Sequence, residues 1–65
     1  MKNLYRGSFS YASSVEKPLY RFALSKKQAW YLMCQAIATK HEVRDSYVYG
    51  LFDGSRPNFE ITVEM

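Results

Sequence analysis

From Asn3 to Ala12 the chain alternates: Tyr5, Gly7, Phe9 and Tyr11 fall on one side, Leu4, Arg6, Ser8, Ser10 and Ala12 on the other. A repeat of two is the signature of a strand, and the aromatic set predicts its core face. Gly7 on that face leaves a gap, either for a bulge or for a large side chain packing from another element. Ser13 to Pro18 reads as a loop, because Pro18 lacks a ladder donor and biases Lys17 to extended geometry. Alternation resumes from Leu19 to Leu24, with Tyr20, Phe22 and Leu24 taken as inward and Leu19, Arg21 and Ala23 as outward. Strands adjacent in sequence usually pair, which predicts a hairpin.

At Ser25 the period changes. Ala29, Trp30, Leu32, Met33, Ala36 and Ile37 share one broad face of a helix running from Ser25 to His41, while Lys27, Gln28, Tyr31, Gln35, Ala38 and Thr39 lie toward the other. Ser25-Lys26-Lys27-Gln28 has the spacing of a capping box. Lys26 and Lys27 sit in the first turn, where the helix dipole disfavours cations, a hint that they serve something outside the helix. Arg44-Asp45 reads as a turn and Ser46 to Phe52 as a third strand, apolar on both faces and so ambiguous in register. Asp53 to Asn58 is a turn signal. Phe59 to Met65 is a fourth strand, with Phe59, Ile61, Val63 and Met65 inward and Glu60, Thr62 and Glu64 outward. The expectation is one α+β domain over residues 1–65, ordered ββαββ, with one helix on a small antiparallel sheet. Its predicted core is Phe9, Phe22, Leu24, Trp30, Met33, Ile37, Phe59, Ile61 and Val63.

Size changes what this core must do. A chain of 65 residues buries about 60% of its unfolded surface and is marginal without help. Six tyrosines, four phenylalanines and one tryptophan supply part of the help. Association with a second copy would supply more, so a homodimer is expected.

Candidate chemistry is sparse. One cysteine, Cys34, excludes a disulfide within the chain. One His and one Cys, two helical turns apart, do not make a metal site within one chain. Cys34 reads as a small packed hydrophobe, and His41 as a complement to the helix C-terminus. Gly7, Gly50 and Gly54 are scattered, so none forms a phosphate-cradling loop. The expectation is a protein without catalytic residues, metal or cofactor, and not an enzyme. There is no apolar run like a signal peptide and none near the roughly 20 residues of a membrane span, which predicts a free-standing cytoplasmic product with no membrane contact.

Two surfaces are candidates for binding. On the helix, Lys26, Lys27, Tyr31 and Gln35 place an aromatic among cations and amides, a composition suited to a protein interface. On the open sheet face, Arg6 and Arg21, joined by Tyr47 and Tyr49, would suit single-stranded nucleic acid through stacking and phosphate contacts. The net charge of +3 comes from nine basic residues spread without a block, which permits a nucleic-acid partner without requiring one. In size and style the chain resembles accessory products of phages or mobile elements, which bind and block or adapt a host protein. The leading expectation is therefore a binding protein acting as an inhibitor or adaptor through a protein interface. The alternative is a small nucleic-acid-binding module.

Overall fold

The computed structural model describes residues 2–11, 14–55 and 57–64. The fold is α+β: an antiparallel sheet with one helix on a face and a second helix packed against the first. In chain order the elements are β1 (Asn3–Tyr11), β2 (Ser14–Val15), β3 (Leu19–Ala23), α1 (Lys26–His41), α2 (Asp45–Leu51) and β4 (Phe59–Val63). The strand and helix order is that of the sequence, with one substitution and one addition. The segment expected as the third strand is α2. The expected loop contains the short β2, which pairs Ser10 with Val15 and Tyr11 with Ser14; Ser13 and Ala12 lie outside the described residues.

The strand expectation for Ser46 to Phe52 failed because its alternation was empty of information. Both sets of alternate residues are apolar, so a period of two and a period of 3.6 fit equally well. Burial decides between them. Val48 and Phe52 are fully buried while Gly50 between them is exposed, which one face of a strand would not give, and the Phe52 amide donates to the Val48 carbonyl at 3.2 Å, the i to i−4 bond of a helix. Packing overrides the strand preference of Tyr and Val, and Asp45 in the first turn suits the helix dipole.

β1 is the middle strand. It pairs along one edge with β3, Tyr5 opposite Arg21 and Gly7 opposite Leu19, and along the other with β4, Gly7 opposite Ile61 and Phe9 opposite Phe59. β4 has no strand directly before it to pair with, since the segment expected as the third strand is α2, and it crosses to β1 instead. The β1–β3 register also overturns the expected face of β3. Residues opposite one another share a face, so Leu19, Arg21 and Ala23 lie with buried Tyr5 and Gly7, while Tyr20 and Phe22 point away. Phe22 and Leu24, expected in the core, are 63% and 61% exposed. Val63 is on the helix side, as expected, but at its flank and 56% exposed. Met65 lies outside the described residues.

The core lies between the sheet and α1. Phe9, Met33, Ile37 and Ile61 are buried as expected, and Trp30 and Phe59 pack partly buried against them. Phe9 stacks on Phe59 and meets Phe52 edge-on, with ring centroids 5.5 and 4.9 Å apart, so one aromatic trio joins β1, β4 and the end of α2. Ala23 and Ala29 are completely buried, which brings α1 close over β3. The gap at Gly7 is filled from the helix: an added Cβ would collide with Met33 Sδ and come within 2.8 Å of the Phe9 ring. α1 also buries Cys34 and Ala38, the latter expected on the polar side, because α2 covers a second stripe of it.

The ends of α1 follow local chemistry. Ser25 Oγ accepts from the Gln28 amide at 3.1 Å. The Gln28 side chain reaches back one residue further than a capping box requires, accepting from the Leu24 amide at 2.6 Å. At the other end Glu42 adopts the left-handed conformation, φ 54°, and its N–H meets the carbonyls of Ala38 and Thr39. Beyond α2, Asp53 Oδ1 accepts from the Ser55 amide and hydroxyl, and Gly54 takes φ 93° to close the turn. Arg56 lies outside the described residues.

Candidate functional site

α1 packs on one side of the sheet, with α2 against α1 and Phe52 at its end against Phe9 on that same side, so the other side is open. Its rows follow from the ladder. Leu4 lies beside Phe22, Arg6 between Tyr20 and Thr62, and Ser8 beside Glu60. The β3 side of this face is apolar, with Tyr20 48% and Phe22 63% exposed, and Leu24 follows at the strand's end. The β4 side carries Glu60 and, just past the strand, Glu64, whose amide donates to the Leu4 carbonyl at 2.7 Å. Arg6 stands in the middle. Glu16 pairs with Lys40 and His41, whereas Arg6, Glu60 and Glu64 form no ion pair among the described residues. At the far end of the same face a shallow cleft of about 340 Å³ is lined by Ser8, Ser10, Pro57, Asn58, Phe59 and Glu60.

The four nucleic-acid candidates are not brought together. Arg6 is on the open face. Arg21 is on the helix side, its guanidinium donating to the Tyr20 carbonyl at 2.8 Å. Tyr47 and Tyr49 are on α2, across the sheet from Arg6. The cause is the pair of corrections above: β3 faces the other way, and the third strand is a helix.

The helix candidates fare differently. Lys27, Tyr31 and Gln35 are spaced by four and form one exposed row on α1, with Lys26 beside it. Tyr31 is 39% exposed. It meets Tyr49 edge-on at 5.2 Å and Trp30 at 4.9 Å, and Gln35 Nε2 donates to the Tyr49 hydroxyl at 3.2 Å. Tyr31 and Gln35 therefore hold α2 against α1, while Lys26 and Lys27 extend freely from the first turn. Tyr49 completes this knot. A helical reading of residues 45–51 would have found it, since Trp30, Tyr31 and Tyr49 then fall on facing helices.

A further cluster escaped the sequence. His41, at the end of α1, stacks on Tyr11 with ring centroids 4.0 Å apart, and its Nε2 lies 2.7 Å from Glu16 Oε1. Lys40 Nζ is 3.2 Å from the same oxygen. The hydrogen bond from His41, aided by Lys40 and opposed by partial burial, holds the Glu16 carboxyl below its ordinary value. An ionised carboxylate only accepts, so His41 carries its proton on Nε2 and donates. Nothing local in sequence signals this, because the three residues meet only when the hairpin folds over the helix end.

Cys34 is completely buried, and burial, with Asp45 nearby, pushes its thiol up to about 12, far from a reactive thiolate. The His41 nitrogen that faces a carboxylate is a structural tie. No three His, Cys, Asp or Glu side chains among the described residues converge on a metal-sized space. No helix among them is long and apolar enough to cross a membrane. No known protein family matches the chain, nor does any curated protein or solved structure.

Proposed function

We propose that this chain is a small non-enzymatic binding protein of the cytoplasm, acting as an inhibitor or adaptor through a protein–protein interface. The observation that carries the reading is the uncovered sheet face, where Leu4, Tyr20, Phe22 and Leu24 stand together in a chain with little apolar surface to spare. Isolated exposed apolar residues are ordinary, but a contiguous group rimmed by charge marks an interaction site. Tyr, Phe and Arg at the centre with Glu at the flank is also the composition of a protein interface. Glu60 and Glu64 on the same face would repel phosphate, which weighs against nucleic acid.

The test is an affinity pull-down from a host lysate with and without nuclease, read by mass spectrometry. The expected result is a protein retained at near-stoichiometric yield after nuclease, and lost when Phe22 is replaced by Asp. A retained population that disappears with nuclease would instead establish nucleic-acid binding.

A further inference from the structure

We infer that the open face of the sheet is a self-association surface, and that its occupant is a second copy of this chain packed face to face. The inference rests on the binding-protein reading above and names the partner for that face.

Charge is the first argument. The face holds Arg6 and two glutamates, Glu60 and Glu64, and among the described residues none of them meets an opposite charge. A surface that carries both signs unspent is complementary to itself, which is what an isologous contact requires. The layout of the rows selects one arrangement. Let a two-fold axis cross the strands between the Leu4–Phe22 pair and the Arg6–Tyr20 pair. Each β1 then lies antiparallel over the other. Phe22 packs on the partner's Tyr20, Leu4 on the stem of the partner's Arg6, and the guanidinium of Arg6 comes beside the partner's Glu64. The apolar flank is covered, and Glu60 stays at the rim in water.

Area is the second argument. Three strands about 4.8 Å apart, five residues long at about 3.3 Å each, span about 14 by 17 Å before their flanks are counted. The molecule itself measures 32 × 21 Å across its two longer dimensions. A face between those limits spans about 240–670 Å² per protomer, at or below the lower edge of stable interfaces, so a weak dimer is expected. A chain this short also gains most from covering a face it has no residues left to cover.

The experiment is sedimentation equilibrium of the full chain from low to high micromolar concentration, with far-UV circular dichroism on every variant. The wild-type mass should rise from 7.6 kDa toward twice that value. Phe22→Asp should weaken association about 30-fold or more, as loss of a central anchor does. Phe22 is 63% exposed, so the variant should keep its fold; Leu24→Asp provides a second exposed position for the same reading. Tyr31→Ala, on the opposite side of the molecule, should leave the dimer unchanged. Arg6→Glu and Glu64→Arg should each weaken the dimer, and the double variant should recover most of the loss. A wild-type chain that stays at 7.6 kDa throughout overturns the inference. So does a Phe22→Asp dimer of undiminished strength, or a charge-swapped double variant no better than the singles. A monomer that still captures a protein after nuclease would sink this inference alone; a dimer that captures none would leave it standing and remove the inhibitor or adaptor reading.

Discussion

Both faces of the sheet carry large apolar side chains, and the fates of those side chains differ because of what lies opposite. The covered face holds Tyr5, Gly7, Phe9 and Ile61, all buried beneath α1. The open face holds Leu4, Tyr20 and Phe22, which are no less apolar. On β3 the larger rings point out and the smaller Leu19 and Ala23 point in. α1 approaches closely over Ala23 and Ala29, and that contact has no room for a phenyl ring. Which face of a strand is buried is therefore set by the surface that must fit it, with hydrophobicity a secondary guide.

The widest separation between the faces is expected from aromatic truncation. Phe9→Ala should cost about 3–5 kcal/mol, since it opens a cavity beneath Phe52 and Phe59. Phe22→Ala in dilute solution should stay within about 0.5 kcal/mol of wild type. Urea unfolding of both variants makes the check, and equal losses would abolish the distinction between the faces. Next is the backbone of β1. Gly7→Ala should cost about 1–3 kcal/mol by forcing Met33 and Phe9 aside, while Ser8→Ala, one residue on and facing out, should be nearly silent in the same assay.

The remaining predictions concern the helix that makes one face a core. Ser25→Ala removes the cap on the Gln28 amide and should cost about 1 kcal/mol. Glu42→Gly relieves a left-handed glutamate and should add about 0.5–1 kcal/mol, seen as a higher melting temperature. A lower one would mean that the Glu42 side chain has a role beyond its backbone geometry. The smallest effect is electrostatic. The hydrogen bond from His41 holds the folded Glu16 carboxyl below its ordinary value, so its stabilisation is present above the unfolded value and is lost as pH falls through the folded one. Unfolding measured from neutral pH down through 4 should show a shallower acid decline in Glu16→Gln than in wild type. Parallel curves would remove Glu16 as the tie between hairpin and helix.

Much of this fold was legible. β1, β3, α1 and β4 each begin and end within a residue or two of where alternation, the Ser25 cap and the Asp53–Gly54 turn place them. Two things were not. Alternation sorts residues into two sets without saying which is inside, and on β3 the more apolar set, Tyr20 and Phe22, is the outer one. In residues 47–52 there is no polar set, so the period is undefined until Val48 and Phe52 find α1 and Phe9. The functional surfaces inherited both errors. Tyr31 and Gln35 were legible as an exposed helical row, whereas Arg6 was grouped with Arg21, Tyr47 and Tyr49, which lie elsewhere. The Tyr11–His41–Glu16 tie was illegible because its members lie far apart along the chain.

The placement of β1 between β3 and β4 has a kinetic consequence. β1 and β3 form a local hairpin, and α1 and α2 are neighbours in the chain, so both pairs can assemble by closing short loops. β4 reaches β1 only after everything between them has been drawn together, Phe9 to Phe59 being the near end of that ladder. Closing so long a loop is the slow step in such a topology. Until it closes, β1 has a bare edge beside exposed Tyr5 and Phe9, a template for pairing with any other extended chain. Crowding of newly made chains should therefore penalise this protein during the interval before β4 docks far more than afterwards.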